Sequence, residues 1–206
     1  MITRRNLIGC GLATMIAGEV NSYPVKSMVS TKGSIESYLT DEHYKQILFG
    51  MIEGTLSDIE IPGLKSVGNG CIFYGANQIT SLSLPDCETA GTFAFRGMTR
   101  CVEFNLPKLR SVLTNGFTGC VAPILDLPMM ETIGQNCFQS AQTITLKIPN
   151  VTSIASSGLH STSSFRDVFL TNKKFGTVQN FPWGVTNTST VFHFSDGDYN
   201  KDGEKV

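Results

Sequence analysis

The amino-acid sequence predicts a β-rich solenoid of about 21–23 residues per repeat, and three observations carry that prediction. An apolar–polar–apolar triplet followed by proline recurs five times, at Ile59-Glu60-Ile61-Pro62, Leu82-Ser83-Leu84-Pro85, Phe104-Asn105-Leu106-Pro107, Leu125-Asp126-Leu127-Pro128 and Leu146-Lys147-Ile148-Pro149, with the prolines 23, 22, 21 and 21 residues apart. A second phrase follows the prolines. It places an apolar residue at Leu64, Leu109, Met130 and Val151 and another at Val67, Val112, Ile133 and Ile154, then a large side chain at Phe73, Phe95, Phe117, Phe138 and Leu159. Finally, only 16% of the 206 residues are charged, against roughly 25% in an average soluble chain, and Ser, Thr, Asn and Gly fill the polar positions.

Each part of the repeat has a physical reading. Two apolar residues flanking a polar one make a short strand with one face buried. Proline then ends hydrogen bonding along that strand, because it offers no amide donor. The Gly- and Asn-containing turn that follows returns a bulky side chain to the interior. A single unit cannot cover its own apolar face, but units stacked at the strand spacing of roughly 4.8 Å form a continuous core with ladders of like residues.

In chain order, residues 1–33 read as an arm or a targeting segment. Arg4 and Arg5 precede a weakly apolar run, the outline of a secretory signal. Gly9, Cys10, Gly11 and Thr14 interrupt that run and no small-x-small site appears before Glu19, so a cleaved leader and a retained arm both stay open. Residues 34–58 are expected to hold an N-terminal capping helix and the lead-in to the repeats. Thr40 suits the N-cap, Asp41 and Glu42 the first turn, and Tyr44, Ile47, Leu48 and Met51 fall at helical spacing. Repeats occupy residues 59–170, where Val168-Phe169-Leu170 continues the strand series without its proline. Residues 171–206 form a C-terminal cap and tail: Val191-Phe192-His193-Phe194 is the last strand, Trp183 packs over the end of the core, and residues 198–206 fray. No stretch approaches the ~20 apolar residues of a membrane span.

The phrase I-P-x-L-x-S-I-G-x-x-A-F-x-x-C is that of the BspA-type leucine-rich repeat, and residues 59–162 resemble it through all five units. Ala90 stands where Ile or Val is usual, and Gly116 and Cys137 precede the phenylalanine where Ala is customary. The flanks ILFGMIEGTLSDIEIP, residues 47–62, and FPWGVTNTSTVFHFSDG, residues 181–197, look like the lead-in and ending of such repeats in phage and prophage proteins. The resemblance implies a leucine-rich-repeat solenoid used on virions or bacterial cell surfaces, or secreted. There it binds proteins or glycans or serves as a structural part, and it carries no catalytic residues. The expected partners are protein subunits of a particle, or a host-surface protein or glycan, with the N-terminal arm as an oligomer contact.

Catalysis needs convergent acids, bases or nucleophiles. His43, His160 and His193 fall in separate layers, with no HExxH, GxSxG or Cys–His pattern around them. A glycan hydrolase would need paired carboxylates across a cleft, whereas Glu103 and Asp126 lie on a flat strand face. The glycines of GCGLAT, residues 9–14, follow no strand and lack the third glycine of a dinucleotide loop. Asp198, Asn200, Asp202 and Gly203 match the start of an EF-hand calcium loop without its closing glutamate. The six cysteines form no CxxC pair. Their even number would permit disulfides in an exported chain, but Cys71, Cys120 and Cys137, beside or near the inward aromatics, suit packed free thiols better. No enzyme activity, cofactor or metal is expected. A net charge of −1 supplies no attraction to nucleic acid or to an anionic membrane.

The feature with functional promise is the outward strand ladder. The central residues Glu60, Ser83, Asn105, Asp126 and Lys147, and two positions earlier Asp58, Ser81, Glu103 and Thr145, must point away from the core. Stacking aligns them in two rows as a flat, polar, mildly acidic partner-binding face.

Overall fold

The computed structural model describes residues 57–69, 73–160 and 164–206. They wind as a β-solenoid of about six turns, with thirteen short strands in chain order. Turn by turn these are β1 (Asp58–Glu60) and β2 (Ser66–Val67), β3 (Ser81–Ser83) and β4 (Thr89–Ala90), β5 (Glu103–Asn105) and β6 (Ser111–Val112), β7 (Ile124–Asp126) and β8 (Thr132–Ile133), and β9 (Thr145–Lys147) and β10 (Ser153–Ile154). Then come β11 (Asp167–Leu170), β12 (Val191–Phe194) and β13 (Gly197–Tyr199). Odd-numbered strands up to β11, with β12, stack in parallel on one side, and the two-residue even strands β2 to β10 stack in parallel on another. The capping helix expected within residues 34–58 lies outside the described residues, as do the arm 1–33, His43, Cys10 and Cys71.

Each triplet does what its pattern requires. The middle residue of the strand turns inward, so Ile59, Leu82, Leu125, Leu146, Val168 and Phe192 are buried, with Phe104 half-buried in the same series. Register is like on like: Ile59 opposite Leu82 opposite Phe104, and Leu125 opposite Leu146 opposite Val168 opposite Phe192. The apolar residue before each proline is buried too, which keeps one stripe of the chain in the core on every turn.

The third side is made of turns rather than strands. Phe73, Phe95, Phe117 and Phe138 stack through the interior with ring centroids 6.0, 5.0 and 5.4 Å apart. Phe165 continues the column edge-on at 5.8 Å, since Leu159 holds the phenylalanine position in that turn. Backbone amides tie neighbouring turns together here, as in Phe95 N–H to Gly116 O at 2.8 Å and Phe117 N–H to Cys137 O at 2.9 Å. The corner requires left-handed backbone at two rungs. Gly97, Gly119 and Ser140 occupy one, with φ of 74°, 69° and 55°, and Phe93, Asn115 and Asn136 the other, with φ of 60°, 58° and 50°. Gly and Asn accept that conformation readily; phenylalanine does not.

Two expectations need correction. The strand ladder is not continuous, because β5 and β7 are not paired and the odd strands divide into β1-β3-β5 and β7-β9-β11-β12-β13. On the other turns the residue just before the strand donates its amide to the preceding turn: Thr80 to Ser57 O, Val102 to Thr80 O, Ile144 to Pro123 O and Arg166 to Ile144 O, at 2.7–3.1 Å. Between β5 and β7 that residue is Pro123, which has no N–H to give. The tail, expected to fray, is instead ordered as an edge. β13 runs antiparallel to β12, Tyr199 bridges to Lys205, and the Val206 amide reaches Asp198 O at 3.0 Å. The reason is apolar: Tyr199 stacks on Phe175 with centroids 4.2 Å apart and meets Phe194 edge-on. Trp183 sits fully buried against Phe181 and Phe192, closing the core as its position predicts.

Candidate functional site

The outward side of the odd strands brings the predicted rows into register. Asp58, Ser81 and Glu103 align in one row, and Glu60, Ser83 and Asn105 in the other. Beyond the break, Asp126 faces Lys147 and then Phe169 and His193, while Thr145 lies between Ile124 and Asp167. Every predicted residue of the ladder is at least partly exposed. Alternation along the strand explains this, since the buried middle residue forces both neighbours to the other face.

Contacts along the rows run between turns. Asn105 Nδ2 donates to Ser83 Oγ at 2.9 Å, Thr80 Oγ1 to Asp58 Oδ1 at 3.1 Å, and Lys147 Nζ lies 3.3 Å from Asp126 Oδ2. At the C-terminal end His193 stacks on Phe169 at 4.2 Å between two carboxylates, with Nε2 3.1 Å from Asp167 and Nδ1 2.9 Å from Asp198. This histidine is thus held inside a surface cluster rather than aimed at open solvent.

Exposed aliphatic residues interrupt this polar surface. Ile124 is 58% exposed, Val102 47% and Ile144 48%, and the exposed ring of Pro123 lies among them at the break in the ladder. Ile124 fills the fourth rung of the row Asp58–Ser81–Glu103, a rung that the search for polar ladder residues passes over. Its signal is present in the sequence as an aliphatic residue at an outward position. Val102 and Ile144 stand one residue before their strands, where their exposure depends on how the turn is aimed.

The flank along the even strands has a different character, because its charges satisfy one another. Lys65 lies 3.8 Å from both Asp86 and Glu88, Lys108 lies 2.7 Å from Asp86, and Arg110 pairs with Glu131. The Lys108 hydrogen bond and the Gly63 amide hold the Asp86 carboxyl below its ordinary value. Asn172 Nδ2 reaches Asn150 Oδ1 at 2.7 Å, continuing the pattern with amides.

Other candidate chemistry dissolves into structure. Cys87, Cys101, Cys120 and Cys137 are free and buried. Burial pushes the thiols of Cys87, Cys101 and Cys137 up to about 12, and raises Cys120 as well. Asn200 Oδ1 accepts the amides of Asp202 and Glu204 at 2.9 Å each, so it shapes the tail turn. Among the described residues no three His, Cys, Asp or Glu side chains gather as a metal site, and no helix is long and apolar enough to cross a membrane.

Comparison with known proteins agrees with this architecture. No curated protein and no solved structure matches the chain. The BspA type leucine rich repeat region matches residues 65–181 in six copies. The copies span more than half of the sequence and coincide with the stacked turns, and the chain therefore belongs to the BspA-type leucine-rich-repeat family.

Proposed function

We propose that this protein is a non-enzymatic binding component that engages a protein or glycan partner through the outward face of its odd strands. The observation behind this reading is Ile124, 58% exposed in an outward row of mainly polar residues, with Val102, Pro123 and Ile144 exposed at the register position just before the strands of the same turns. Large aliphatic side chains left exposed among polar ones are a feature of contact surfaces. Asp58, Glu60, Ser81, Ser83, Glu103, Asn105, Asp126, Thr145 and Lys147 supply the polar part of the face. The self-paired charges along the even strands offer a partner less, since each would have to be stripped from its mate.

In this reading the repeats of residues 59–170 present the surface, residues 171–206 close one end, residues 34–58 close the other, and residues 1–33 dock on neighbouring subunits of a phage or prophage particle. The resemblance of residues 47–62 and 181–197 to phage and prophage proteins supports the particle. The second reading, an exported adhesin on the bacterial surface, draws on the family's use at cell surfaces and on Arg4 and Arg5 ahead of an apolar run. Fractionating the native source, with intact-mass measurement, separates them: a full-length chain in particles supports the first, a shortened chain in the cell envelope the second. The face itself is tested with Ile124→Asp, compared with Glu131→Lys on the opposite flank. Binding of purified protein to the recipient surface should fall at least about tenfold for the first variant only; equal binding by the two would rule the face out.

A further inference from the structure

A second site lies away from the strand face, on the turn side of the first two described turns. Arg96 lies over two aromatic rings, with its guanidinium carbon 5.1 Å from the centroid of Phe93 and 5.6 Å from that of Tyr74. The rings meet edge to face at 6.3 Å. All three side chains are partly exposed. Among the described residues no carboxylate pairs with Arg96, in contrast to Arg110, Lys108 and Lys65 on the neighbouring flank.

The backbone adds an independent observation. Phe93 has φ of 60°, at a rung where Asn115 and Asn136 supply the same left-handed conformation in the next two turns. Asparagine tolerates it, and a bulky aromatic residue is an outlier there. Phe93 gains no full burial in return, because its ring stays at the surface rather than joining the column of Phe95 and Phe117. A strained residue whose side chain is spent on the surface points to a role outside folding.

From this geometry we infer that Tyr74, Phe93 and Arg96 form a binding site for the carboxylate or sulfate group of an acidic saccharide. The rings fix the guanidinium, whose planar fork of N–H donors matches an oxyanion bidentately. The partly exposed aromatic rings offer apolar surface to the C–H groups of a pyranose. Asn69 Oδ1 accepts the amide of Thr92, the residue before Phe93, at 2.7 Å, which fixes the backbone that carries the ring. An acidic peptide offers the same carboxylate, and the polyglutamate control in the titration separates it from a saccharide. The inference stands apart from the proposed role of the strand face.

The test is calorimetric titration of the full chain with sialyllactose and a sulfated lactose, using neutral lactose and polyglutamate as controls. Binding of at least one acidic saccharide is expected, with neutral lactose at least tenfold weaker. Arg96→Gln should abolish it, and Arg96→Lys should weaken it at least fivefold, because lysine keeps the charge but not the fork. Phe93→Asn should weaken it while leaving the melting temperature equal or higher, which separates loss of the site from loss of the fold. No binding of either acidic saccharide, equal binding by Arg96→Gln, or binding of polyglutamate alone would overturn the inference. The strand face is reported separately by Ile124→Asp, which should leave this titration unchanged.

Discussion

At the residue scale, burial decides the chemistry of the cysteines. Desolvation favours the neutral thiol, so Cys87, Cys101 and Cys137 stay protonated in the folded chain until about pH 12, whereas in the unfolded chain they ionise near their ordinary value of 9.0. Between those limits the unfolded state binds fewer protons than the folded one. Stability therefore falls as pH rises through the interval from 9 to 12 and is insensitive to these groups below it. Denaturant melts at pH 7, 9 and 10.5 should show the decline above 9 alone. A thiol reagent at pH 8 should find the four described cysteines only after denaturant is added. The same scale governs Gly134, where a Cβ would stand 2.6 Å from the Leu113 carbonyl carbon of the previous turn; the backbones approach too closely for any side chain.

At the element scale, the unit of stability is the rung shared by neighbouring turns. Phe117 is stacked on Phe95 and Phe138 at once and has no room to be replaced by relaxation from one side. Replacing Phe117 or Phe138 with alanine should cost roughly 3–5 kcal/mol, read from urea or guanidinium unfolding, as for other buried aromatics. Unchanged curves would contradict the column. The break at Pro123 is a different kind of element-level feature. Pro123→Val restores an amide facing the carbonyl of Val102, worth about 0.5–1.5 kcal/mol, against about 0.4–1 kcal/mol lost by loosening the unfolded chain. The expected net change is below about 1 kcal/mol, while hydrogen exchange should detect a newly protected amide at residue 123. Fast exchange there would mean that the β5–β7 gap has a cause other than the missing donor.

For the whole molecule, an open solenoid end is the hazard, since it exposes both core and unpaired strand. The C-terminal end is closed by Trp183, by Phe175 and Phe181 packed against the core, and by β13 along the edge of β12. Removing residues 197–206 takes away Tyr199 and uncovers the β12 edge together with Phe175 and Phe194. The truncated chain should melt at lower temperature and associate through that edge, as seen by light scattering. A monomer with the parent melting temperature would show that the tail only decorates the end.

Much of this was legible in the chain itself. The proline-marked triplets and the phenylalanine rung determine a stacked β-solenoid, because a period of 21–23 residues with fixed inward positions has no other way to bury its apolar faces. The outward rows followed from alternation alone. Four features waited for the tertiary structure. The tail reads as solvated because its charges outnumber its one aromatic, and only the placement of Phe175 and Phe194 gives Tyr199 something to pack on. Pro123 marks a break only once its amide position is seen to be the one that joins successive turns. The exposed aliphatic residues around Ile124 and the ring pair under Arg96 are assembled from different turns, so their members are neighbours only where stacking brings residues some 20 positions apart into one rung.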